Sequence, residues 1–196
     1  STHILKLIHN YKPDEIYNLA SQSSLSLSFN QPRGTIQFNI ITVLNLLEAV
    51  KMANPINQIK LYQASSSEMY GLVTDLPITE TTVFHPLSPY AISKASAHWL
   101  TVNYRESYQL FTSCGILFNH ESYLRSDNFF MKKVIHESLR IKYNLQSNLL
   151  VGNIDITRDF GYARKSVEAM WLRLKLDKPE DNLICYGGSK CVVRVI

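Results

Sequence analysis

Four side chains between positions 62 and 94 carry groups that move protons: Ser66, Glu68, Tyr90 and Lys94. They sit in two words, Tyr62-Gln-Ala-Ser-Ser-Ser-Glu-Met-Tyr-Gly and Ser88-Pro-Tyr-Ala-Ile-Ser-Lys, joined by a loop carrying Pro77 and Pro86. If Ser88 and Pro89 open a helix, the four-residue interval stacks the Tyr90 phenol and the Lys94 ammonium on one face. An ammonium beside a phenol lowers its pKa from about 10, which lets the tyrosine trade a proton with a substrate hydroxyl near neutral pH. Plainer roles stand beside this one: Ser66 and Ser67 as loop caps, Glu68 as a capping partner, and Tyr90 as an ordinary buried aromatic.

The elements that must position these groups follow from apolar spacing. Ser1 and Thr2 cap a short helix with Ile4, Leu5, Leu7 and Ile8, which Lys12-Pro13-Asp14 ends. Residues 15–20 read as a buried strand that opens into polar Ser-Gln-Ser-Ser, and 37–52 as an amphipathic helix broken by Asn54-Pro55. Strands over 59–64 and 111–118 flank a helix over 89–108. Further on, helices are expected over 128–143 and 165–176, a short apolar piece over 149–152 and one more strand over 182–186. Such alternation predicts an α/β fold, a doubly wound parallel sheet with function at the carboxyl ends of its strands.

Composition narrows the function classes. The 196 residues are 45% hydrophobic, enough for one substantial core. No apolar run approaches the roughly 20 residues of a membrane span and no secretory signal opens the chain, so a cytoplasmic protein is expected. Cys114, Cys185 and Cys191 read as reduced packing residues. The net charge of +4 lies wholly beyond His120, where thirteen Lys/Arg face nine Asp/Glu. That excess suits an anionic ligand such as a diphosphate, or else marks solvated helix faces. Scattered basic residues without interleaved aromatics argue against nucleic acid. His3, His9, His85, His98 and His136 show no ligand-like spacing, so no metal is expected.

On its longer words the chain resembles the extended short-chain dehydrogenase/reductase family and, within it, the GDP-mannose 4,6-dehydratases. Those words are Glu15-Ile-Tyr-Asn-Leu-Ala, the two already quoted, Val102-Asn-Tyr-Arg-Glu-Ser-Tyr, Gly115-Ile-Leu-Phe-Asn-His-Glu-Ser and Val167-Glu-Ala-Met-Trp-Leu. The resemblance implies a Rossmann-like NADP-binding region over 1–118 and 162–187, a partial substrate-binding region over 119–161 and 188–196, and a homo-oligomer with NADP near the subunit contact around Arg125. It implies a redox-neutral lyase reaction on GDP-mannose that yields GDP-4-keto-6-deoxymannose. In it Tyr90 takes the proton of the sugar 4-hydroxyl, Ser66 hydrogen-bonds the same oxygen, and Glu68 removes the C5 proton and helps expel the 6-hydroxyl. A carboxylate is the group that step requires, because it must accept a carbon-bound proton and return one to a leaving hydroxyl. Lys94 both tunes Tyr90 and reaches the nicotinamide ribose. Leu19, Ala20, Ser21, Gln22 and Ser23 fall where the family lines its cofactor, with His120 and Arg125 reaching it from a later loop. Asn119, Lys133 and Arg158 fall where it contacts the nucleotide sugar and its diphosphate.

The same resemblance places an opening strand, Gly-rich turn and helix ahead of Ser1, so the chain reads as a fragment, a truncated gene model or a decaying paralogue. Gly34 stands for a tyrosine near the cofactor, Phe160 and Tyr162 for the Trp and His of an Arg-Asp-Trp-Gly-His word, Lys165-Ser166 for Asp-Tyr, and Ser126 for a glycine. A non-catalytic remnant, or another nucleotide-sugar epimerase or dehydratase, is the competing expectation. Backbone amides of a Gly-rich turn are the main anchor for a cofactor pyrophosphate. The 196-residue chain alone is therefore expected to bind NADP weakly, and micromolar or tighter binding in a fluorescence titration would refute this.

Overall fold

The run Lys60–Ser66 is buried at its last six positions, as a strand covered on both faces must be, and the sheet is built outward from it. The computed structural model describes residues 2–54, 58–73, 76–152, 155 and 157–185. Strands β1 (Glu15–Asn18), β2 (Lys60–Ser66), β3 (Thr112–Leu117) and β6 (Asn182–Ile184) form one sheet in the order β1-β2-β3-β6. Every pairing in it is parallel, with Asn18 opposite Gln63, Ser66 opposite Leu117 and Leu117 opposite Ile184. The expected doubly wound parallel sheet is present. A second, two-stranded parallel sheet, β4 (Asn119–Glu121) with β5 (Phe160–Tyr162), was not foreseen, because three-residue strands are too short to show alternation.

Helices cross between the strands as parallel pairing requires. α1 (Thr2–Tyr11) packs on α3 (Pro32–Ala53), and α3 packs on α4 (Pro89–Tyr108). α3 begins earlier than the expected 37–52, because Pro32 is pre-organised for its first turn. The short α2 (Leu25–Asn30) precedes it, its Ser24 cap accepting a bond from the Leu27 amide at 3.3 Å. By length and composition α3 matches a membrane span, contrary to the expectation that no run reaches that length. Its buried Thr35 and Asn39 are polar, however, and Val43, Leu47 and Val50 join Ile8, Ile59 and Leu61 in one core cluster. α5 (Phe130–Lys142) buries none of its residues, while α6 (Ala163–Leu174) lays Met170 and Leu174 against Tyr62, Leu117 and Ile184. Residues 149–152 form no regular element. Residues 188–196, assigned from the sequence to the substrate-binding region, lie outside the described residues.

β6 is fastened by charge. Arg105 of α4 forks onto Asp181 at 2.8 and 2.7 Å, and Asp181 also accepts the Cys114 amide at 2.8 Å. Burial pushes the Asp181 carboxyl up, yet the Arg105 and Cys114 bonds outweigh it and hold the group below its ordinary value. Asp181, His98 and Cys114 lie within 4.8 Å of one another, a convergence their sequence spacing hides. Arg105 already stands there as the counter-charge to Asp181. Cys114 is a free, buried thiol, whereas Cys185 is disulfide-bonded, which corrects the expectation of three reduced cysteines.

Gly115 sits mid-strand in β3 because Tyr62 of β2 lies across it: a Cβ there would stand 1.5 Å from the Tyr62 hydroxyl oxygen. Tyr62 is fully buried and has little room to yield. Gly115→Ala is expected to destabilise the fold by at least about 1–3 kcal/mol, the usual cost of overpacking. A lowered urea midpoint at unchanged slope checks this, and an unchanged midpoint would count against it.

Candidate active site

The chemistry-bearing groups converge because two elements end at one place. β2 runs out at Ser66, whose hydroxyl oxygen accepts the Glu68 amide at 3.3 Å and starts the 3-10 turn Ser67–Tyr70. Capping and site membership are thus both true of Ser66. α4 begins where the sequence suggested: the Ser88 hydroxyl oxygen accepts the Ala91 amide at 3.0 Å, and Pro89 occupies the first turn. That turn aims Tyr90 and Lys94 at the carboxyl end of β2. All four residues line a cleft of about 720 Å³ together with Leu19, Ser21 and Ser23 after β1, Asn119, His120 and Arg125 around β4, and Arg158.

The pairing of Lys94 with Tyr90 needs correction. The Lys94 ammonium donates to the Ala64 carbonyl at 2.9 Å and stands 5.9 Å from the Tyr90 ring centre. Burial pulls the Lys94 amine down to about 8. Burial pushes the Tyr90 phenol up to about 12, with Ser66 and Arg125 drawing it down and Glu68 pushing it further up. Lys94 therefore does not hold Tyr90 below its ordinary value in this state. Both groups are more than nine-tenths buried, and removal from water disfavours the charged form of each.

Two predicted positions behave differently from expectation. Lys133 does not line the cleft; it makes a 3.9 Å ion pair with Glu137 along the surface of α5. Its one-turn spacing from Glu137 makes that local pairing the nearer option. Arg158 does reach the cleft, but its guanidinium is on the Glu68 carboxylate at 2.5 Å. Asn119 donates its side-chain amide to the Asp159 carbonyl at 3.2 Å, which fixes the backbone beside Arg158. His120 donates from Nδ1 to the Phe118 carbonyl, 3.0 Å away, and the Arg125 guanidinium lies 3.6 Å from the Phe129 ring centre.

Ala20 and Gln22 do not line the cleft, but they set its edge. The Ala20 amide donates to Asn18, and the Gln22 side chain ties the segment to Thr35 at 2.9 Å. Asn39, which the sequence reading missed, joins three parts of the site: it accepts the Gln22 amide at 2.8 Å and donates to Ser93 at 2.8 Å, and Ser93 donates to the Tyr90 carbonyl at 2.7 Å. An asparagine one turn before the apolar Val43 and Leu47 on the buried face of α3 was the available sign. Ser24, Ser26 and Asn128 also line the cleft; the serine-rich run after β1 announced the first two.

Comparison with known proteins identifies the family and the fold. A family model described as GDP-mannose 4,6 dehydratase matches residues 1–195. The chain is 53% identical to GDP-mannose 4,6 dehydratase 1 of Arabidopsis thaliana over 92% of its own length and 50% of that protein's. It is 46% identical to GDP-mannose 4,6 dehydratase of Homo sapiens, over 95% and 50% respectively. It spans about half the length of these curated relatives. Among solved structures, RMD from Pseudomonas aeruginosa complexed with NADPH superposes with a TM-score of 0.82 at 31% identity, covering 89% of this chain and 61% of that one. UDP-N-acetylglucosamine 4-epimerase from Methanobrevibacter ruminantium M1, in complex with UDP-N-acetylmuramic acid, superposes with a TM-score of 0.81 at 28% identity, over 94% and 58%.

The titration of Lys94 and Tyr90 gives a signed expectation. Below pH 8 both folded and unfolded chains hold the Lys94 proton, and between about 8 and its ordinary 10.5 only the unfolded chain does, so stability rises with pH there. The slope is at most about 1.4 kcal/mol per pH unit. Tyr90 opposes this above its ordinary 10.0, where the unfolded chain loses the phenol proton first and stability falls toward pH 12. Urea unfolding from pH 7 to 9, below the range where the Cys114 thiol, also pushed up by burial, opposes it, is expected to show the rise, and Lys94→Met to abolish it; a flat curve over that range for the unaltered protein would sink the assignment.

Proposed function

Since the chain belongs to the GDP-mannose 4,6-dehydratase family, we propose that it serves the conversion of GDP-mannose to GDP-4-keto-6-deoxymannose. The observation that carries this reading is the convergence of Ser66, Glu68, Tyr90 and Lys94 in one cleft at the carboxyl end of a parallel strand, the place where open α/β sheets bind ligands. NADP suits the cleft: Leu19, Ser21 and Ser23 line the side next to β1, Lys94 reaches toward the floor, and His120 and Arg125 close the β4 side. When bound, such a cofactor takes up and gives back the hydrogen that travels from C4 to C6 of the sugar.

The protein's own groups carry the protons. Tyr90, as its phenolate, accepts the proton of the sugar 4-hydroxyl while Ser66 hydrogen-bonds that oxygen, and the phenol so formed gives a proton to C5 in the closing step, which restores the phenolate. A phenol pushed up to about 12 is a sluggish acid–base group at neutral pH. Only positive charge or hydrogen-bond donors brought close to the phenol oxygen offset the effect of burial. Glu68 accepts the C5 proton, made acidic by the neighbouring ketone, and passes a proton to the departing 6-hydroxyl. A hydroxyl and a carboxylate two residues apart supply these unlike roles: Ser66 orients an oxygen and Glu68 moves a proton. Arg158 and Arg125 offer the planar, always-charged donors that suit a diphosphate.

The test is turnover by the full-length protein. With NADP and GDP-mannose, the expected product has lost one water and carries a 4-ketone, seen by mass spectrometry and carbonyl trapping. Glu68→Gln is expected to lower kcat by about 10²–10⁴-fold, the usual worth of a positioned acid–base group. An epimerised sugar of unchanged mass would overturn the dehydratase reading in favour of an epimerase, which removes no C5 proton.

A further inference from the structure

The proposed base is occupied. Glu68 Oε1 lies 2.5 Å from Arg158 Nη1, with about a fifth or less of either side chain exposed. A carboxylate oxygen that already accepts a guanidinium hydrogen bond does not stand free to meet a carbon-bound proton. The pair bridges 90 residues of sequence and joins the 3-10 turn after β2 to the segment before β5, so it is no accident of helical neighbours. Asn119 holds the backbone next to Arg158 through the Asp159 carbonyl, leaving the guanidinium as the movable part.

The surrounding charges show what displaces it. Among the described residues lining the cleft, Lys94, Arg125 and Arg158 are the cations and Glu68 is the acidic side chain. Lys94 is committed to the Ala64 carbonyl and Arg125 stands 3.6 Å from Glu121. Facing Glu68 from α4 is Tyr90, a neutral phenol at physiological pH. An anion entering this cleft meets net positive charge, and a phosphate group offers Arg158 a bidentate partner of higher charge than one carboxylate.

We propose that Arg158 is a ligand-operated counter-ion: paired with Glu68 as it stands, it gives its guanidinium over to the diphosphate of an incoming nucleotide and so frees Glu68 to accept a proton. The proposal rests on the nucleotide-sugar reading for its ligand class, but the exchange of partners is a property of these two side chains. It makes the base available only once the anionic end of the substrate is seated. Arg158 is in this sense a positioning residue as well as an anion contact.

The full-length protein, carrying a carboxyl-labelled glutamate and labelled arginine side chains, tests this by NMR at fixed pH with GDP, inorganic pyrophosphate and guanosine as probes. The expected result is a saturable shift of both the Glu68 carboxyl and the Arg158 guanidinium with GDP and with pyrophosphate, and no shift with guanosine. In Arg158→Gln the Glu68 resonance is expected to have moved already and to ignore both anions; Arg158→Lys, which keeps the charge, is expected to restore part of the response and guards against a folding defect. If Arg158 shifts while Glu68 stays, or if Glu68 responds equally in Arg158→Gln, the counter-ion exchange is wrong although the dehydratase reading stands. If no anion moves either resonance, the exchange is overturned too. Release of Glu68 by pyrophosphate in a protein that does not turn over GDP-mannose would sustain the exchange and remove the dehydratase reading.

Discussion

A single buried bond, from the Lys94 ammonium to the Ala64 carbonyl, sets how helix α4 lies on strand β2, and the cleft depends on that docking. Ala64 is a central position of a strand buried on both faces, and its carbonyl also accepts from Gln63, which in turn receives Asn18 of β1. A polar line therefore runs from β1 through β2 to α4. Buried polar groups are tolerated when every member finds a partner, and a satisfied network fixes a unique arrangement. Here the arrangement fixed is the distance between the first turn of α4, which carries Tyr90, and the end of β2, which carries Ser66 and Glu68. The cost of burial appears in the titration of Lys94 and Tyr90, both displaced toward their neutral forms.

Much of this was legible in the residues, because the signals were strong and local. Ser88-Pro89 marked the start of α4 through capping chemistry, and the side chains at 90 and 94 had to share a face. The apolar runs at 59–64 and 111–118 and the helices between the strands pointed to a parallel sheet. What escaped was either short or distant. Strands β4 and β5 have three residues each, and no periodicity survives at that length. The Lys94–Tyr90 interaction was misjudged because spacing shows that two groups share a face but not where an ammonium points or how little water reaches it. Lys133 found a partner one turn away on its own helix, which a position matched by resemblance does not register.

The site combines two kinds of contribution. One is compact in sequence: Ser66, Glu68, Tyr90 and Lys94 fall within 29 positions, held by caps and by the sheet. The other is assembled from afar, with Asn39 reaching across from α3 to couple the segment after β1 to the turn of Tyr90, and Arg158 reaching in from the far side. The first set could be picked out by residue type and spacing. Of the second, Arg158 was named from the sequence without its partner, and both its pairing with Glu68 and the Asn39 bridge emerge only once the chain is folded.

The fork of Arg105 on Asp181 has a consequence for the order in which such a site comes into being. That contact joins positions 76 residues apart, and loop-closure entropy makes such contacts unfavourable until the elements between them have condensed. The β1–β2–β3 block with α3 and α4 closes through shorter loops and already contains the proton-moving groups. α6, which lines the opposite side of the cleft, and β6, which packs behind it, join that block only through contacts of longer sequence separation. The proton-moving groups thus belong to the part of the chain closed by shorter loops, while enclosure of a ligand depends on the longest-range contacts.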